Sequence, residues 1–152
     1  MSQNQTAIET RSSNPLTTLS EDERMFRASV REFADGELRP RVQAMEEQGK
    51  LDPTLVKQCF DLGLMGIETP EEFGGAGASF FTAILAVEEL SSVDASVGVL
   101  VDVQNTLVNN AFIHWGNEEQ KRKYLPRLAS EWVGAYALSE AGSGSDAFAM
   151  QT

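Results

Sequence analysis

From Ser20 onward the apolar residues recur every three or four positions, the spacing of helices that bury one face. Met25, Phe26, Val30, Phe33 and Ala34 share one such face. Ser20-Glu21-Asp22-Glu23 opens that helix as a capping box, in which hydroxyl and carboxylate satisfy each other's backbone donors. Gly36 and Pro40 weaken its far end, and Pro40 predicts a second segment reaching Met45. Asp52-Pro53 is an N-cap followed by proline in the first helical position. The helix it predicts runs through Leu55, Val56, Cys59 and Phe60 to Leu62, with Gly63 as a left-handed stop. Residues 63–79 hold five glycines and one proline and read as loop. Ser79 then starts a helix through Phe80, Ile84, Val87 and Leu90.

Asp94 caps the next helix, which reaches Trp115 and is nearly all apolar up to Val101. A helix apolar on most sides is expected to be buried on most sides, so this one is the predicted centre of a bundle. Gly116 ends it, and Asn117 with Gln120 repeats the capping-box spacing. The helix that follows is predicted to break at Pro126, with about one further turn after it. From Val133 to Leu138 the period shortens to that of a strand. A lone strand cannot satisfy its own backbone groups. The expected organisation is therefore mainly α: a polar, disordered tail at 1–15, a helical domain at 16–131, and at 132–152 the first strand of a β domain.

Composition narrows the class without naming it. Of 152 residues 41% are hydrophobic and 23% charged, as in ordinary globular domains. A net charge of −11 repels phosphate backbones and argues against nucleic acid as a partner. An anionic ligand would need backbone amides rather than a basic surface. Cys59, the single cysteine, can form neither an internal disulfide nor a thiolate zinc cage, and its apolar setting reads as a core thiol. No apolar run approaches the roughly 18 residues of a membrane span. The N-terminus has neither an apolar signal core nor an Arg-rich transit pattern, so the expected home is the cytoplasm. A mitochondrial matrix protein already freed of its presequence is the alternative.

The chemistry concentrates in Tyr136-Ala137-Leu138-Ser139-Glu140-Ala141-Gly142-Ser143-Gly144-Ser145-Asp146. A P-loop would need a lysine after its last glycine, and none is present. The dinucleotide pattern G-x-G-x-x-G fails at Ala147, and the hydrolase elbow G-x-S-x-G fails in register. His114, the single histidine, lies beside Trp115 within a helix and reads as structural. What remains is a loop whose glycines admit close approach, whose serines donate and accept, and whose amides could form an anion nest. Residue chemistry alone leaves a plain surface turn open beside a ligand loop, the turn being the commoner case.

The spaced pattern Ala137-Leu138-Ser139-Glu140 followed by Gly144-Ser145-Asp146 resembles the signature of the acyl-CoA dehydrogenases. The stretches 63–79, 88–97 (E-E-L-S-S-V-D-A-S-V) and 116–126 (G-N-E-E-Q-K-R-K-Y-L-P) resemble the same family in order and spacing. The likeness spans 16–152, and V-D-A-S-V and Q-N-T-L look most like the short/branched-chain members. It implies a flavoenzyme with an N-terminal helical domain, a middle β domain and a C-terminal helical bundle. Such enzymes use FAD to convert an acyl-CoA to the trans-2-enoyl-CoA and pass electrons to an electron-transfer flavoprotein. The resemblance implies a homo-oligomer, a tetramer by expectation. By position it implies that Tyr136, Ala137, Leu138, Ser139, Glu140, Ala141, Gly142, Ser143, Gly144 and Ser145 line the FAD site. Ser145 would also meet the acyl-CoA, and Val99, Leu100 and Val103 would shape the acyl pocket, core packing being the other reading of those three. Glu140 is not the catalytic base, which the resemblance places after Thr152; no catalytic residue is expected in this chain. A non-catalytic helical interaction module and a related flavoprotein such as an acyl-CoA oxidase or nitroalkane oxidase stay open.

Overall fold

A computed structural model describes residues 18–152. The tail expected at 1–15 lies outside the described residues. The first helix, α1 (Glu21–Phe33), begins as the pattern requires. Ser20 Oγ accepts from Glu23 N at 3.1 Å, and Glu23 Oε2 accepts from Ser20 N at 2.7 Å. Val30, Phe33 and Ala34 turn inward, whereas Met25 on the same predicted face is 57% exposed.

Gly36 and Pro40 do not stop the chain. A π-type turn (Ala34–Leu38) and a 3-10 turn (Arg39–Arg41) carry it into α2 (Val42–Gln48). Leu38 is fully buried at this junction, so packing holds a run that local propensity disfavours. Gly49, at φ 59°, provides the left-handed end. Then α3 (Pro53–Asp61) opens with Asp52 Oδ1 accepting from Thr54 N at 2.8 Å. Cys59 on its inner face is fully buried, and burial pushes its thiol up to about 11, as a core sulfur should behave.

The glycine-rich loop 63–79 folds back on itself. Ala76 N donates to Gly66 O, Gly77 N to Thr69 O, and Ala78 N to Ile67 O. Leu64, Met65, Ile67 and Phe73 are buried beneath it. Next come α4 (Phe80–Ser91), capped by Ser79, and α5 (Ala95–Asp102), capped by Asp94. A π-type stretch (Val103–Asn109) joins α5 to α6 (Asn110–Trp115), so one helical run spans 95–115 as predicted. α4 packs on both α1 and α5, and α7 (Glu118–Ser130) packs on α6 and on a 3-10 turn, Glu71–Phe73, in the loop.

Two expectations give way here. The run 95–115 is buried on one side only. Val97, Gly98 and Val101 are inside, but Val99 is 56% exposed and Trp115 87%. The apolar face has no cover among the described residues. Pro126 does not break α7, which continues to Ser130. Proline removes one intrahelical donor, but Leu125, Leu128 and Ala129 on both sides of it are buried and hold the turn closed.

One buried acid joins the layers. Glu89 of α4 is 1% exposed and bridges Arg27 Nε, at 2.5 Å, and Arg31 Nε of α1. Burial pushes its carboxyl up, but the two guanidiniums outweigh burial and hold it below its ordinary 4.5. A depressed carboxylate contributes stability above its unfolded value and loses it as pH falls through the folded one. Glu89→Gln is therefore expected to lower unfolding free energy by about 2 kcal/mol at neutral pH, from weakened charge-assisted bonds. The gap between wild type and variant should close as pH falls from about 4.5, which denaturant titration at several pH values measures.

Helix contact sets a second expectation. A Cβ on buried Gly98 would lie 2.0 Å from Ser91 Oγ and 3.1 Å from Ser91 Cβ. Gly98→Ala should cost about 1–3 kcal/mol by overpacking α4 against α5. Adding Ser91→Gly should restore much of the loss, as a double-mutant cycle in urea would show.

Candidate functional site

The 132–146 segment is placed by contacts at its root. Trp132 N donates to Arg127 O at 2.7 Å, and the Arg127 guanidinium lies 4.6 Å from the centre of the Trp132 ring. Gln104, buried in the π-type stretch, donates through Nε2 to Leu128 O at 2.7 Å and to Trp132 O at 2.9 Å. Its Oε1 accepts from Gly134 N at 2.8 Å. Gly134 lies so close to the helix that a Cβ there would stand 2.3 Å from Val108 Cγ1.

Beyond Gly134 the chain forms no ladder as far as Ser139, so the strand predicted at Val133–Leu138 is absent among the described residues. The residues have strand character and no neighbouring strand to bond among those described. Val133, Tyr136 and Leu138 are left 50%, 51% and 39% exposed. Among the described residues, the backbone N–H groups of Ala135 through Ser139 have no acceptor. This stretch leaves main-chain donors and the apolar side chains of Val133, Tyr136 and Leu138 uncovered.

A tight turn follows. Glu140 N donates to Ser143 O at 2.9 Å, and Ser143 N returns to Glu140 O at 3.1 Å. Ser143 is 2% exposed, and its Oγ donates to Asp146 O at 2.8 Å, so this hydroxyl serves the turn. The Glu140 carboxylate accepts from the Thr152 hydroxyl and from the amides of Gln151 and Thr152. The Thr152 hydroxyl and the Gln151 amide hold it below the ordinary range. Ser139, Ala141, Gly142, Gly144 and Ser145 face outward.

Gly142 and Gly144 separate two reasons for using glycine. Neither has a positive φ, and a Cβ built on either meets nothing within 4 Å. Neither conformation nor packing within this chain requires glycine there. Bare main chain at these points leaves room for a body outside the chain.

The second predicted set lies on the 95–115 run. Val99 is exposed, Leu100 and Val103 are half-buried, and Leu107 is 39% exposed. The two sets are joined through Gln104, next to Val103, and Gly134, two residues before Tyr136. Gln104 entered the sequence reading only as part of Q-N-T-L, with no role of its own, and Gly134 not at all. The available signal was the adjacent amide pair Gln104-Asn105 among the apolar residues Val101, Val103, Leu107 and Val108. His114 is exposed near the end of α6, away from the turn in sequence. No helix among the described residues is long and apolar enough to cross a membrane.

The described residues thus form a helical domain that carries an open glycine-serine turn and a half-exposed apolar helix face, joined through Gln104 and Gly134. Residues 20–131 match the family "Acyl-CoA dehydrogenase, N-terminal domain", and the chain belongs to that family. It is 49% identical over 138 residues to a probable short/branched chain specific acyl-CoA dehydrogenase of Dictyostelium discoideum, covering 91% of this chain and 33% of that protein. It is 46% identical to the mitochondrial short/branched chain specific acyl-CoA dehydrogenase of Bos taurus, covering 91% of this chain and 32% of that one. A glutaryl-CoA dehydrogenase of Mycobacterium smegmatis, solved in complex with FADH2, superposes with a TM-score of 0.81 at 36% identity, over 88% of this chain and 35% of that one. The chain spans about a third of the length of the relatives it matches.

Gly142→Ala and Gly144→Ala are expected to leave the fold intact. Unfolding free energy should stay within about 0.5 kcal/mol of wild type or rise slightly, because alanine narrows the unfolded ensemble. Thermal and denaturant melts of the two variants check this.

Proposed function

We propose that this chain supplies the N-terminal helical part of an FAD-dependent acyl-CoA dehydrogenase acting on short or branched-chain acyl-CoA thioesters. The observation that carries the reading is the open main chain of Gly142 and Gly144, beside the unpaired amides of Ala135–Ser139. A flavin presents ring carbonyls and a diphosphate, which are acceptors suited to such amides and to the Ser139 and Ser145 hydroxyls. Tyr136–Ser145 would hold the cofactor. Within that span the Ser143 hydroxyl shapes the turn, and the Glu140 carboxylate is occupied by residues 151–152. The bound flavin would supply hydride acceptance from the acyl β carbon. The chain's own work is to orient the ring edge and keep water from its face.

Val99, Leu100 and Val103 would form one wall of the acyl pocket. They are apolar and half-open, so an alkyl tail replaces water there favourably. The base that removes the α proton is assigned to residues beyond this chain, as are the subunit contacts of a homo-oligomer and the surface for an electron-transfer flavoprotein. Identity to a mitochondrial enzyme supports the matrix alternative over the cytoplasmic home expected from the N-terminus.

The test places this chain in the matched third of the Dictyostelium relative. The chimera is expected to retain flavin and to bleach on adding a short branched acyl-CoA. Gly142→Ala with Gly144→Ala should cut flavin retention about tenfold or more, while the isolated chain keeps its stability. The 152 residues by themselves should not hold flavin stoichiometrically. A folded chimera that is colourless, or glycine variants that bind FAD as wild type does, would overturn the assignment.

A further inference from the structure

We propose that Gln104 is a positioning residue that fixes the register between the helix face carrying Val99 and Val103 and the segment carrying Tyr136–Ser145. This rests on reading those two surfaces as acyl-facing and flavin-facing. Gln104 is 1% exposed, and all three of its bonds go to main chain at the root of that segment: Leu128 O, Trp132 O and Gly134 N. No other hydrogen bond reaches residues 133–139 from the helical layer among the described residues. The next anchored point is the Glu140–Ser143 turn, which bonds to itself and to residues 146 and 151–152.

The geometry gives Gln104 a role that generic packing would not fill. An apolar residue of its size would leave two carbonyls and one amide at the segment's root without their partner. Gly134 has no Cβ, so it sits against Val108, and at that distance the short Gln104–Gly134 bond fixes how far along the helix the segment starts. Adjacent Val103 lies on the half-open side of the same helical stretch. A slip at Gln104 therefore moves the flavin-facing turn relative to the acyl-facing wall, and hydride transfer tolerates little of that.

The test begins with the full 152-residue chain by NMR. Gln104→Met preserves shape and removes all three bonds. The expected result is about tenfold faster exchange of the Gly134 amide and lower order across residues 133–139. The Ile67 amide, bonded to Asn105, and the Glu140–Ser143 turn should keep their wild-type behaviour. Gln104→Glu keeps an acceptor for Gly134 and should protect that amide better than Gln104→Met does. Val101→Ala is the control for plain destabilisation and should speed Ile67 and Gly134 together. Unchanged Gly134 exchange in Gln104→Met, or equal acceleration of Ile67 and Gly134, overturns the proposal. If Gln104→Met does not fold, Gln104→Glu decides, since it loses both donated bonds: lower order across residues 132–139 with Ile67 unchanged supports it, and wild-type order refutes it.

In the flavin-bearing chimera, Gln104→Met should raise the FAD Kd about tenfold and alter the bound flavin's absorption shape. A loosened segment with unaltered flavin affinity and spectrum would refute the positioning role. A wild-type chimera that takes up no flavin refutes the enzyme reading instead, and the exchange result then decides on Gln104 alone.

Discussion

Three buried carboxamides on one helical stretch hold the parts of this molecule that no regular structure holds. Gln104, Asn105 and Asn109 are each at most 1% exposed. Asn105 donates to Leu64 O and Val101 O and accepts from Ile67 N, while Asn109 donates to Met65 O. Gln104 does the same for residues 128–134. Loop backbone under a protein surface must find partners, and here side chains stand in for a sheet. A loop amide that lost its carboxamide would keep its desolvation cost with nothing in return, so these bonds matter more for their absence than their presence. Asn109 Oδ1 and Thr69 Oγ1 have no partner among the described residues, so this network is satisfied incompletely.

The amides and the Glu89 cluster divide the labour. Glu89 ties α4 to α1 through two half-exposed arginines and serves the helical layer itself. The amides tie the helical layer to the loop at 63–79 and to the segment after 131. Acid weakens the first set by protonating a carboxylate, whereas neutral amides do not titrate. The helical layer should therefore respond to pH more directly than the attachment of the segment after 131 does.

Helix starts were the most legible part of the sequence. Ser20, Asp52, Ser79, Asp94 and Asn117 all cap as their side chains dictate, because capping is decided within four residues. Helix interruptions were less legible. Pro126 was read as a break, yet burial of Leu125 carried the helix through, and that burial is set by distant elements; at Pro40, read as the start of a second segment, a 3-10 turn does lead into α2, but with no interruption of the helical run. The strand at 133–138 was misread for a related reason: residue type signals strand character, but a strand exists only where another bonds to it. The motif at 136–146 could be read as a ligand loop through its resemblance. The tether that places it was signalled only by the Gln104-Asn105 amide pair, because the partners of Gln104 lie 24 to 30 residues away and are not written in its neighbours.

The glycines show why sequence and structure answer different questions. Gly66, Gly75, Gly98 and Gly134 each sit where a Cβ would stand less than 3 Å from a neighbouring atom, so the chain's own packing demands them. Gly142 and Gly144 face open space in ordinary backbone conformation. All six look alike in a string of letters. Only the coordinates separate glycines that let the protein approach itself from glycines that would let something else approach the protein. The second kind carries an entropic cost on folding that nothing within the fold returns. Among the described residues the amides of Ala135–Ser139, just before these glycines, also lack acceptors, so main-chain donors and bare main chain stand together on one exposed stretch.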